Sequence, residues 1–251
     1  MAKRKSSYYD SYYPHFTQPT AEELRIRAMA SVKEAQKKGR TLDPVIAPSR
    51  GSLCSSWWGN AWCRNLESYA DYSNRLSRGR RYLSNGTVLD LQVGPGVADA
   101  LVQGSSARPY KVKITIDPLP KAKAEAIYEK CSCRIQNLEK LVSGEFPEEL
   151  KDLFTSRSGG LFPSPREIHL SCSCPDWATM CKHVAAVMYG IGVRFDQNPF
   201  YFFLLRGLDV DTFVDSAIAN RVEAMLKNAD KKSSRIIQGE DLSELFGVVE
   251  D

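Results

Sequence analysis

Cys172, Cys174, Cys181 and His183 fall within twelve residues, in the order C-x-C-x6-C-x-H. Three soft thiolates and one imidazole are the donor set that closes a structural zinc ion in a tetrahedron. Other readings of the same residues exist. A disulfide would strain an adjacent C-x-C pair and leave one of the three cysteines over. Reduced thiols that merely cluster would give His183 no part. A Cys181–His183 nucleophile pair would leave Cys172 and Cys174 without a role. One zinc ion accounts for all four residues.

The local pattern supplies a frame for such an ion. Residues around Ile168 and Leu170 alternate like a short strand, and Pro175, which cannot donate to a ladder, suits a turn after Cys174. The apolar run 184–189 reads as a helix that stops near Gly190 and Gly192. Cys181 and His183 then stand at or before the first helical turn, where the positive end of the helix favours thiolate.

The spacing CSCPDWATMCKH resembles the SWIM-type zinc finger, with six residues in its variable gap. The stretches WWGNAW at 57–62, YSNRLSRGRRY at 72–82, ARPYKVKI at 107–114, LFP at 161–163 and NPFYFFLLRG at 198–207 extend that likeness. They are similar to a prokaryotic SWIM-finger family often encoded beside Swi/Snf-type helicases, over roughly residues 51–210. The resemblance implies one structural Zn2+ held by Cys172, Cys174, Cys181 and His183. It also implies a DNA-binding or protein-interaction role, with a Swi/Snf-type helicase or another protein as partner.

Positioning elements can be read along the chain. Thr20-Ala-Glu-Glu23 is a capping box that opens a helix running to about Lys38, and residues 41–50 read as a linker. Trp57, Trp58 and Trp62 sit on a short helix, more as a core anchor than as a platform for bases. Residues 82–83, 88–93, 98–103 and 110–116 read as antiparallel strands, with Asn85-Gly86 as a hairpin turn and residues 94–96 as another. Helices are expected over 121–143, 147–154 and 210–226, with an apolar run at 200–205. The fold class is α+β: a small antiparallel sheet, packed helices and a strand-turn-helix finger clamped by zinc. The expected organisation is a basic segment at 1–50, the sheet and helices at 51–165, the finger at 166–195, a strand or helix at 196–228 and an acidic tail at 229–251.

Charge points to partners more by place than by sum. The net charge is only +4, but residues 1–50 hold ten Lys/Arg against five Asp/Glu. Residues 236–251 carry five acids and no base. The first eighteen residues mix Lys3, Arg4 and Lys5 with Tyr8, Tyr9, Tyr12 and Tyr13, a composition able to dock on a partner or on nucleic acid. Arg75, Arg78, Arg80 and Arg81 place four guanidiniums in RLSRGRR, read as a loop at a sheet edge that either follows phosphates or is plain solvated surface. Lys182 either joins them or offsets the net −1 of Zn2+ with three thiolates. Cys131 and Cys133 face opposite ways on a helix, so with Cys54 and Cys63 they read as buried thiols rather than a second zinc site. His15 and His169 are isolated.

Enzyme signatures are missing. The chain has no phosphate-binding G-x-x-x-x-G-K-[ST] loop, no G-x-S-x-G elbow and no deaminase H-x-E with P-C-x-x-C. The expectation is a non-enzymatic, zinc-binding cytoplasmic accessory protein, without membrane span or small-molecule substrate. It would bind DNA, dock a helicase-like ATPase, or both; the alternative is a protein scaffold with no nucleic-acid binding. Treated as a local unit, the finger is expected to melt in Cys174→Ser or His183→Ala while the strands at 88–116 persist, as circular dichroism would report.

Overall fold

The computed structural model describes residues 19–48, 50–68, 73–134, 151–156, 160–176 and 178–229. The two tails, the parts of the expected helices at 135–143 and 147–150, and Trp177 lie outside these. Helix α1 (Ala21–Lys37) opens on the expected capping box: the Glu23 N–H donates to the Thr20 hydroxyl at 3.2 Å, and the Thr20 N–H donates to the Glu23 carboxylate at 2.9 Å. Residues 43–45 are more than a linker. Their backbone bonds along the next strand, Val45 N to Val88 O at 3.2 Å and Leu91 N to Asp43 O at 3.1 Å, and so covers a sheet edge.

Helix α2 (Trp57–Glu67) starts on the Ser56 hydroxyl, which accepts from the Gly59 N–H. Helix α3 (Ser73–Ser84) occupies the arginine-rich stretch that reads as a loop, and it also takes in residues 82–83, which read as a strand. The reason is packing. Leu76, Gly79 and Leu83 recur at helical spacing, all buried. Gly79 lets α3 press against a second helix so closely that a Cβ there would lie 2.7 Å from the Ala185 carbonyl carbon. Asn85-Gly86 therefore closes α3 instead of making a hairpin; Gly86 takes φ +69° and donates to Leu83 O at 2.8 Å.

Strands β1 (Val88–Gly94), β2 (Val97–Val102), β3 (Tyr110–Ile116) and β4 (Ile168–Cys172) form one antiparallel sheet in the order β1-β2-β3-β4. The β1–β2 connection turns at Pro95-Gly96. In β3 the period of two is plain: Val112, Ile114 and Ile116 are buried, whereas Lys111, Lys113 and Thr115 are exposed. Between β3 and β4 run helix α4 (Lys121–Arg134) and the short α5 (Lys151–Thr155). The register Val112↔Cys172 to Ile116↔Ile168 makes the strand of the metal motif the fourth strand of the main sheet. Arg206, almost wholly buried, secures this join: it pairs with Glu167 at 2.7 Å and donates to Asp117 O at 2.7 Å.

Helix α6 (Lys182–Gln197) runs through the centre, buried continuously from His183 to Phe195. A helix that is apolar or small all round belongs inside a core. It does not stop at Gly190 and Gly192, because the low helix propensity of glycine is outweighed by the close packing that the missing side chains allow. Trp58 and Trp62 of α2 donate their indole N–H groups to Phe195 O at 2.9 Å and Met188 O at 2.8 Å. Helix α7 (Tyr201–Leu205) returns Phe202 to stack on Phe195, ring centroids 3.9 Å apart, and α8 (Val210–Ala229) packs on α4. No helix among the described residues is long and apolar enough to cross a membrane.

Gly79→Ala is expected to lower stability by about 1–3 kcal/mol although alanine is the better helix former. Chemical denaturation with a constant m-value would measure it; a more stable variant would mean that α3 and α6 do not meet so closely.

Candidate metal centre

The four ligands come from three adjoining pieces of this frame. Cys172 is the last residue of β4, Cys174 sits in the turn, Cys181 is the N-cap of α6, and His183 lies in its first turn. All four donor atoms lie within 4.8 Å of one another. His183 presents Nδ1, 3.8 Å from Cys181 Sγ and 4.0 Å from Cys172 Sγ. Metal–ligand bonds of about 2.3 Å to sulfur and 2.0 Å to nitrogen give tetrahedral edges near these lengths. The donor set and its spacing fit one Zn2+, held by Cys172, Cys174, Cys181 and His183, with no ligand position left open.

Local electrostatics prepare the sulfurs. Cys181 is held down to about 4: Cys172 hydrogen-bonds to it, burial opposes, and His183 and the Val184 N–H add to the lowering. The Val184 interaction, 3.5 Å to Sγ, is the helix capped by a thiolate. Cys172 is pushed up, first by its hydrogen bond to Cys181 and then by burial, and burial also raises Cys174. Without a metal the cluster thus carries one favoured thiolate; a divalent ion stabilises all three.

The surroundings exclude water from the imidazole. His183 is buried between Tyr110 and Tyr82, with centroids 4.6 and 5.4 Å away, and its Nε2 has no hydrogen-bond partner among the described residues. Asp176 organises the loop between Cys174 and Cys181. Its carboxylate accepts from the Ala178 N–H at 3.2 Å and pairs with Arg75 of α3 at 3.1 Å.

The structure separates the arginines of the RLSRGRR stretch. Arg75 is committed to Asp176, and Arg80 donates to Gly51 O at 2.6 Å and faces Glu67 at 3.7 Å. Arg78 and Arg81 have no carboxylate partner among the described residues. Lys182 Nζ stands 5.4 Å over the Tyr82 ring. Burial pushes the Tyr82 phenol up and Tyr110 adds to this, while the charges of Arg78 and of Arg27, on α1, oppose it. Arg27 also donates to Ser105 O at 2.7 Å. No local motif marks Arg27; only folding brings α1 onto residues 103–105 and Arg27 within electrostatic range of Tyr82. His169 is exposed and bonded to Asp117 at 2.8 Å. His15 and the side chains of Cys131 and Cys133 lie outside the described residues.

Comparison with known proteins agrees with this geometry. The family description SWIM zinc finger matches residues 157–190. Uncharacterized protein Rv2102 of Mycobacterium tuberculosis (strain ATCC 25618 / H37Rv) is 38% identical over 183 residues, 72% of this chain and 66% of that protein. The chain thus spans just under two thirds of that relative's length. No solved structure matches.

Because β4 belongs to the main sheet and α6 to the core, ligand loss should not stay local, which revises the expectation of a finger that melts alone. Zinc in small fingers contributes roughly 10–16 kcal/mol of apparent binding free energy, as large as the whole stability of a typical domain. Cys174→Ser and His183→Ala are expected to lose zinc by elemental analysis and to lower the melting of the sheet and of Trp62 fluorescence together. Native Trp62 emission in the zinc-free protein would show a core that stands without the ion.

Proposed function

Starting from a chain that carries a SWIM zinc finger, we propose a non-catalytic accessory protein whose structural zinc fixes a basic surface against DNA, alone or alongside a helicase-like ATPase of the Swi/Snf type. One observation carries the reading: three cations from three different elements, Arg27 and Arg78, whose charges act on the Tyr82 phenol, and Lys182, which stands over its ring, have no carboxylate partner among the described residues. Guanidinium and ammonium groups held by a packed frame suit phosphate oxygens, and such interactions position a protein on a nucleic acid without reading its sequence. Arg81, exposed on α3, extends the same surface. Arg75 and Arg80 have structural work instead, tying α3 to the zinc loop, to the segment before α2 and to the last residue of α2.

The zinc has no catalytic part in this reading, since four protein ligands leave no place for a reactive water. Reduced thiols at the metal fit a cytoplasmic setting. A second reading, a protein scaffold without nucleic-acid binding, draws on α8. Ile218, Val222, Met225 and Leu226 are exposed there at helical spacing, an apolar stripe of the kind that docks on a partner.

Titration of the zinc-loaded protein into labelled single- and double-stranded DNA over a series of salt concentrations tests the proposal. The Arg27→Ala, Arg78→Ala, Lys182→Ala triple variant is expected to bind at least 10-fold more weakly. Its salt slope should be shallower by about 3, roughly one unit for each phosphate it no longer neutralises. Arg75→Ala is expected to lower stability and leave the slope unchanged. Absence of DNA binding at low salt would favour the scaffold and direct attention to α8.

A further inference from the structure

Cys54 and Cys63 form a second thiol group, remote in role from the metal. They are 4% and 8% exposed, and their sulfurs lie 3.6 Å apart. Among the described residues no third ligand joins them, because the groups able to hold an ion are confined to the zinc motif. A neighbouring carboxylate, Asp196, is already taken: the Ser55 and Ser56 N–H groups donate to it at 2.6 and 3.2 Å, as do both hydroxyls. Two sulfurs therefore face each other alone.

Both are held by structure rather than by chance. Cys63 lies in the second turn of α2, and Cys54 is anchored through its carbonyl, which accepts from Asn60 Nδ2 at 2.9 Å. Gly192 of α6 makes the chamber: a Cβ there would lie 3.1 Å from Cys63 Sγ and 3.3 Å from Cys54 Sγ. A disulfide bond is about 2.05 Å, so closing the pair needs a shift of roughly 1.5 Å, within reach of side-chain torsions.

We propose that Cys54 and Cys63 are a redox modification site, which closes to a disulfide in the presence of hydrogen peroxide while the zinc centre keeps its ion. The thiolate of one cysteine attacks a peroxide oxygen; the O–O bond breaks, hydroxide leaves and takes up a proton, and a sulfenic acid remains. The second thiol attacks that sulfur, the S–S bond forms, the S–O bond breaks and water leaves. Two thiols are oxidised and one peroxide is reduced to two waters. The neighbouring Cys63 sulfur and burial both push the Cys54 thiol up, so the reaction is slow and open only to a small oxidant.

The chain itself provides a clean readout. Arg50 and Arg64 flank a tryptic peptide, residues 51–64, that contains both cysteines and no others. The zinc-loaded full chain is treated with rising peroxide, quenched in acid, alkylated, digested and analysed by mass spectrometry, with released zinc followed by a chromophoric chelator. The expected result is an unalkylated peptide about 2 Da lighter, appearing before zinc is released and reverting with dithiothreitol. A peptide that keeps two alkyl groups until zinc has left would overturn the proposal. A peroxide-dependent rise in melting temperature should accompany closure and vanish in Cys63→Ala; its persistence in that variant would also overturn the assignment. Neither readout involves DNA, so the outcome is separate from the proposed function.

Discussion

Metal ligation and hydrophobic burial meet in a single helix. α6 contributes Cys181 as its N-cap and His183 in its first turn, and the next twelve residues are buried without interruption. Cys172 ends a strand paired along its length to β3. The ion therefore joins the two layers of the fold, sheet and helix, at the point where both begin to pack. Loops with two donors each would give a finger independent of its host; here three of the four donors, all but Cys174, stand at the ends of core elements.

Charge around that junction divides into what is used and what is left. The Cys181 thiolate is stabilised from inside by the helix N-terminus and the Val184 N–H. Arg75 neutralises Asp176 in the loop between the ligands, and Arg80 anchors α3 against Gly51 and Glu67. Arg27, Arg78 and Lys182 remain: the first two act on the hydroxyl of buried Tyr82, and Lys182 stands over its ring. A cation with no carboxylate partner among the described residues, held beside a rigid metal centre, is a positioned charge, which gives the DNA reading its physical basis.

The same rod links the metal to the thiol pair. Gly192 follows His183 by nine residues, about 13 Å along the helix axis. At that end the Trp58 and Trp62 indoles of α2, the Asp196 carboxylate and the stacked Phe195–Phe202 rings hold α2 and α6 as one body. A covalent tie between Cys54 and Cys63 would stiffen the end of the core opposite the zinc without touching its ligands.

Much of the site was legible in the residues alone, because metal chemistry is local. The donor types and the spacing C-x-C-x6-C-x-H determined the ligands and the ion, and short-range periodicity placed β1, β2, β3, β4 and the capped start of α1. What only the tertiary structure decided depends on neighbours distant in sequence. RLSRGRR looks like a flexible loop until Gly79 meets Ala185, which makes its glycine a packing surface and the whole stretch a helix. Gly190 and Gly192 look like helix stops until α2 and β1 press against them. Which arginines lack a carboxylate partner could not be read either, since Asp176 and Glu67 claim two of them only after folding, and Arg27 joins the others from a helix far back in the chain. Propensity and motif act over a few residues, whereas close packing and charge pairing act across the whole core.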